Sequence, residues 1–333
     1  KRSIVVDLEQ AEGPSLVRRL CAGADIFLTN LTASRQTRYC LTAADVHAEA
    51  PRVVHASLTA YGLDGPDSER SGFDNASFWA KSGIMGISGQ PGSPPGLFPG
   101  GQGDHTAGLA LFGAILAGLR ARDTTGIGQT VDASLFAAGM WTIAADYSRT
   151  LITGQQPEIR HRSVPYNPLA NTYLCSDGRW LILVMPQSDR FWPAFCRAVG
   201  QPEWEADTRF NSLAQRRENA GEVTSLIDAI FVTKTLDTWG PILDAAHLIW
   251  EPVATLPEVA ASEQAAVAHR FVEIERESGV RFRTMDTPFR IRGAEVASRT
   301  PAPTLGGDTA AVLREAGLDT ETVSDLASRG IFG

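Results

Sequence analysis

DIFLTN at 25–30 and RVVHASL at 52–58 decide the fold of this chain. Each is a short apolar run rich in strand-forming residues, and a helical pattern at 43–49 lies between them. Upstream, SIVVDL at 3–8 reads as a further strand, and 13–22 carries Leu16, Val17 and Leu20 at helical spacing. Short strands alternating with helices predict βαβ units, right-handed crossovers and a parallel sheet. Ligands of such sheets gather beyond the carboxyl ends of the strands. Asn30 and the turn at 59–62 therefore fall at the functional edge.

Farther along, 73–86 reads as a helix ending in glycine. The stretch 89–103 is too rich in Gly and Pro to be regular, and it delivers Asp104 to a long apolar helical segment. A strand at 130–133 and a helix through about 148 follow. Composition then shifts to a polar linker holding Pro157, Pro165 and Pro168. Beyond it, 171–175 and 180–185 predict a hairpin turning at Asp177-Gly178. Helical patterns follow at 190–199, 222–231 and 238–245, then a strand pair at 271–274 and 280–283, and two short tail helices at 310–316 and 320–328. The chain reads as an α/β lobe to about residue 150 and a smaller α+β lobe after the linker.

Composition narrows the function. A net charge of −8 argues against a nucleic-acid footprint, which needs basic excess on one face. Cys21, Cys40, Cys175 and Cys196 are widely spaced, so neither a zinc site nor a disulfide framework is indicated, and a reducing cytoplasm is the expected location. No apolar run approaches the ~18 residues of a membrane span, and no membrane partner is expected. There is no Gly-x-Gly-x-x-Gly turn between a strand and a helix, no P-loop, no Gly-x-Ser-x-Gly elbow and no His pair at metal spacing. Dinucleotide binding, phosphate cradling, serine nucleophiles and metal hydrolysis lack support.

Two carboxylates flank the Gly-rich region. Asp104 follows Gly100, Gly101 and Gly103 and opens a helical pattern, where free N–H groups and the macrodipole favour negative charge. Glycines beside it let another molecule come close. Asp104 therefore reads either as an N-cap, worth about 1 kcal/mol, or as a carboxylate that attacks a substrate and is transiently acylated. Asp74, in Ser-Gly-Phe-Asp-Asn, also lies near a helix start, with capping as its plain role. Arg35 and Arg38 follow Asn30 and either meet phosphates or form a solvated face. Trp79 and Trp192 read as core filler.

Taken in order, these segments resemble the family III CoA-transferases along essentially the whole chain. The matching pieces are DIFLTN at 25–30, VVHASLTAYGLDGP at 53–66, SGFD at 71–74, Gly103-Asp104-His105-Thr106-Ala107-Gly108, GIGQTVDASL at 126–135, and the tail signatures PTLG at 303–306 and LREAGL at 313–318. The resemblance implies that Asp104 is a nucleophile moving CoA from an acyl-CoA to a free carboxylic acid, through an aspartyl anhydride and an aspartyl-CoA thioester. It places Asp74 near the thioester. It puts Asn30, Leu31, Arg35, Arg38, Gly103 and His105 on coenzyme A, with no tightly bound cofactor and no metal. The family's aromatic-Arg-Pro-Gly after the Asn is here Leu31-Thr32-Ala33-Ser34. The same fold carries α-methylacyl-CoA racemases, whose partner base is a His where this chain has Phe73; racemase is the alternative reading. Family members carry a strand–helix–strand unit before the position of Lys1, and its expected absence here leaves a non-catalytic CoA-binding relic as a second alternative. The resemblance implies a Rossmann-like parallel-sheet large domain (1–150), a linker (151–171), a small α+β domain (172–285), and a C-terminal segment (286–333) returning to the large domain, in an interlaced homodimer. Pocket residues are expected from MPQSDR at 185–190.

Overall fold

The computed structural model describes residues 1–332 except 277, 295 and 297–299. The chain divides into two units. Unit 1 comprises Lys1–Gly89, Pro94–Glu158 and Ala302–Gly333; unit 2 comprises Gln90–Ser93 and Ile159–Pro301.

In unit 1, α1 (Gly13–Cys21) leads into β1 (Ile26–Thr29); α2 (Ala33–Arg38) and α3 (Ala43–Glu49) connect it to β2 (Val54–Thr59). A π-helical segment, Asn75–Lys81, then α4 (Ile84–Ile87) and α5 (Gln102–Thr125), lead to β3 (Thr130–Ser134), followed by α6 (Leu135–Thr142) and α7 (Ala144–Thr153). The three strands form a parallel sheet in the order β1-β2-β3, with Ile26 opposite Val54 and His55 opposite Thr130. Parallel strands need long crossovers, and the helix in such a crossover covers the sheet. Here Leu111 and Ile115 of α5 pack on Ala56, with Leu58, Val131 and Ala133 alongside.

Two local expectations are corrected. Residues 3–8 do not form a strand, although their composition favours one. A strand needs a strand neighbour, and these amides find other partners: Ser3 N–H donates to Asp308 Oδ2 at 2.8 Å, Val5 N–H to Thr309 Oγ1 at 3.0 Å, and Asp7 N–H to the Ile331 carbonyl at 2.9 Å. The tail helices Thr309–Glu315 and Thr320–Ser328 thus join unit 1, where Leu313, Leu318, Val323 and Leu326 share a core with Leu16. The single helix expected over 73–86 is instead the π-helical segment and α4, broken at Gly83, whose φ of +87° is left-handed.

Unit 2 is built differently. β4 (Thr172–Leu174) and β5 (Trp180–Leu183) form the expected hairpin, with Gly178 at φ +78° in its turn, and β6 (Trp250–Pro252) adds a third antiparallel strand. The helices α8 (Ser188–Ala198), α9 (Leu213–Glu218), α10 (Ala220–Phe231) and α11 (Leu236–Ala245) accompany that sheet, and β7 (Phe271–Glu275) pairs with β8 (Arg281–Met285) as a separate ribbon. One core gathers Tyr173, Leu181, Trp192, Phe195, Phe210 and Trp239.

Candidate active site

Helix α5 places the site. Gly118 lies against the start of the sheet: a Cβ there would stand 3.1 Å from Val54 Cγ1 and 3.4 Å from Val131 Cγ1. One turn toward the N-terminus, Ile115 and then Leu111 meet Ala56. Ala107 packs with Phe78, Leu135 and Ala138, past the end of β3. At ~1.5 Å rise per residue, the start of α5 projects beyond the carboxyl ends of the strands, the edge where open α/β sheets hold ligands.

At that start the backbone is arranged by glycine. Gly101 is the N-cap, with φ +91° and no side chain to cap the helix. Asp74, only 5% exposed, does so from outside: Oδ2 accepts the Gly101 N–H, and Oδ1 accepts the Gly103 N–H at 3.1 Å. Gly103 must be glycine for this approach, because a Cβ would stand 2.3 Å from Phe78 Cγ and 2.4 Å from Asp74 Oδ1. Asp104, one residue on, is exposed, and among the described residues its carboxylate has no hydrogen-bond or ion-pair partner. The capping reading of Asp104 is therefore corrected: it lies in the first turn, and Asp74 takes the amides that a cap would serve. His105 is exposed beside it, its N–H bonded to the Gly101 carbonyl at 2.9 Å.

The loop before α5 is held as well. Phe98 stacks on Trp79 with ring centroids 3.9 Å apart and planes 7° apart, so Trp79 is a platform for the loop. Asn75 Oδ1, Ser77 Oγ and Trp79 Nε1, all on the π-helical segment, are buried with no hydrogen-bond partner among the described residues. Single-turn π segments occur frequently at functional sites.

A second group gathers where β1 ends. Asn30 is exposed; the Leu31 N–H donates to Thr29 Oγ1 at 3.2 Å, and Gln36 Nε2 donates to the Leu31 carbonyl at 2.9 Å. Arg38 is bound by Glu9, which also accepts the Tyr39 hydroxyl at 2.5 Å. Arg35, exposed, lies 5.9 Å over the Tyr39 ring and has no carboxylate partner among the described residues. Glu69 accepts the Ser34 hydroxyl and its N–H, the latter at 2.8 Å, which holds the Glu69 carboxyl below its ordinary range. The structure thus joins Asp74, Gly103, Asp104 and His105 in one cluster and Asn30, Leu31, Arg35 and Arg38 in another, with no hydrogen bond or ion pair between the two among the described residues. Glu9, Glu69 and Phe98 were not singled out from the sequence. A lone Glu or a Phe among prolines carries no local signal, since each acts on a partner far along the chain.

Among the described residues no group of three or more His, Cys, Asp or Glu is placed to hold a metal, and no helix is long and apolar enough to cross a membrane.

Comparison with known proteins adds the following. The model of CoA-transferase family III matches residues 1–309. The chain is 27% identical over 326 residues to an (R)-2-hydroxy-4-methylpentanoate CoA-transferase of Clostridioides difficile, covering 98% of this chain and 81% of the other. It is 29% identical over 333 residues to a cinnamoyl-CoA:phenyllactate CoA-transferase of Clostridium sporogenes, covering 98% and 80%. A crystal structure of a CAIB/BAIF family protein from Brucella suis matches with a TM-score of 0.79 at 27% identity, over 95% of this chain and 82% of that one.

Proposed function

This chain belongs to CoA-transferase family III, and on that premise we propose that it moves CoA from an acyl-CoA to a free carboxylic acid with Asp104 as nucleophile. The observation that carries the reading is the exposed, unpartnered Asp104 carboxylate at a helix start whose capping is done by Asp74. An Asp104 oxygen attacks the thioester carbonyl; the C–S bond breaks and the CoA thiolate leaves a mixed anhydride. The thiolate then attacks the Asp104 carbonyl carbon, expelling the donor acid as its carboxylate and forming an aspartyl-CoA thioester. An acceptor carboxylate attacks that thioester, CoA leaves again, and its thiolate takes the acceptor's acyl carbon, freeing Asp104. Splitting the exchange in this way replaces one difficult step with easier ones. Among the described residues the N–H groups of Gln102 and Asp104 have no partner, so they are available to a developing oxyanion.

Asn30, Leu31 and Arg35, with Arg38 once Glu9 releases it, are the groups we assign to CoA, Arg35 being the guanidinium without a carboxylate. Phe73, 83% exposed beside Asp74, carries no exchangeable proton, so the racemase reading lacks its second base. We assign a homodimer from Trp141, Leu151 and Ile152, which are 80–84% exposed on α6 and α7 and form apolar surface that a second copy would cover. Free Cys21, Cys175 and Cys196, all buried, suit a reducing cytoplasm.

The test is exchange between a panel of acyl-CoAs and isotope-labelled acids, beginning with the acids for which the two relatives are named. Asp104→Ala is expected to lose about 10³-fold or more of the exchange while its thermal unfolding is unchanged. Full exchange in that variant rules out the assignment.

A further inference from the structure

We infer that Asp74 is a positioning residue that sets the start of α5, rather than a group that exchanges protons with the substrate; the inference rests on Asp104 as nucleophile. Four observations converge on it. Asp74 is 5% exposed, and its two oxygens are each spent on a backbone amide of α5, those of Gly101 and Gly103. Protonating either oxygen would take the charge off those bonds and weaken them. The amides belong to glycines that the arrangement requires: Gly101 is left-handed at φ +91°, and Gly103 leaves no room for a Cβ against Asp74 and Phe78. The segment that begins at Asp74 also anchors the preceding loop through the Trp79–Phe98 stack, so one element holds the approach to α5 at two points.

The consequence is geometric. By saturating the amides of Gly101 and Gly103, Asp74 fixes the first turn, while those of Gln102 and Asp104 have no partner among the described residues. It also relieves Asp104 of capping, so that the Asp104 carboxylate keeps both oxygens for chemistry. A nucleophile held in this way reacts without first breaking a bond to its own helix, and small misplacements of such a group are expensive in rate. Asp74 therefore acts through Asp104.

The experiment compares the full chain with Asp74→Asn, which is isosteric but turns an amide donor toward one of the two backbone N–H groups. Activity is read with the acyl-CoA and acid pair that the wild-type chain exchanges fastest; amide hydrogen exchange is read by mass spectrometry with no substrate present. The expected result is a fall in kcat of about 10- to 100-fold with KM within about twofold. The pH–rate profile should keep its shape, and amide exchange at 100–105 should rise about tenfold or more while 172–183 stays protected. Loss of a limb of the pH–rate profile would make Asp74 an acid–base group and overturn the inference. Unchanged kcat, or unchanged exchange at 100–105, would overturn it too. Phe98→Ala removes the second anchor and leaves the cap: it is expected to raise KM more than it lowers kcat, and the reverse split contradicts the division of roles. Because the exchange measurement needs no catalysis, it tests the cap even if Asp104→Ala were to retain full transferase activity.

Discussion

Among the described residues each unit buries one charged side chain, and the two are used in opposite ways. In unit 2, Arg216 is fully buried: it donates to the Phe210 carbonyl at 2.6 Å and to Ser188 Oγ at 2.9 Å, pairs with Asp189, and lies 4.5 Å over the Trp192 ring. From α9 its contacts reach two other pieces of chain, α8 and the stretch before α9, so the charge ties all three into one aromatic core. In unit 1, Asp74 bonds, among the described residues, the two amides at one helix end. Removing a charge that ties a core together costs stability, whereas removing one that shapes a helix end costs geometry. The unit with the larger single core is thus the less informative about chemistry. The unit whose core is broken into small clusters holds the exposed carboxylate.

Three substitutions sharpen this contrast. The largest stability effect is expected from Arg216→Ala, which strands the Phe210 carbonyl and removes the layer over Trp192; chemical denaturation should show a loss of about 3–5 kcal/mol. Asp189→Asn, at the exposed end of the same pair, keeps an acceptor for the buried guanidinium but removes its counter-charge, and should cost less, about 1–3 kcal/mol. Equal losses in the two would remove the argument from burial. Next is Gly103→Ala, whose new methyl displaces Phe78 or Asp74: about 1–3 kcal/mol in stability, with CoA exchange falling by about tenfold or more. An active, stable Gly103→Ala protein would break the packing argument at the α5 start.

The smallest effect concerns pH. His55, buried in β2 with Nε2 3.1 Å from the Leu41 carbonyl, has its pKa lowered by burial. Above the unfolded value of ~6.5 both states are neutral and nothing is lost. As pH falls below it the unfolded chain takes up the proton first, so stability declines toward the folded pKa. His55→Asn should flatten the fall in stability below about pH 6.5; an unchanged slope would show that other groups produce it.

Much of the sheet was legible. IFLT, VHASLT and TVDAS are β-rich runs separated by segments long enough for the crossovers that parallel pairing needs. Residues 3–8 misled because strand propensity is local whereas strand identity depends on a neighbour, here replaced by tail residues some 300 positions away. At the site, the residue types at 74, 103 and 104 were visible as candidates, but their division of labour was not. A sequence shows a carboxylate after glycines and suggests a cap; it does not show that a carboxylate 29 positions before Gly103 reaches its amide. The same holds for Glu69 on Ser34, 35 positions apart. Long-range partners to backbone N–H groups leave no periodicity to read.

The central claim is that Asp104 is free to be acylated because Asp74 takes its helix's amides. Rapid-quench incubation with the best acyl-CoA of the panel, followed by peptide mass spectrometry, tests it most directly. The account predicts an acyl or CoA adduct on the peptide holding Asp104, absent from Asp104→Ala and formed about 10- to 100-fold more slowly in Asp74→Asn. An adduct on another residue, or one formed at the wild-type rate in Asp74→Asn, would contradict it.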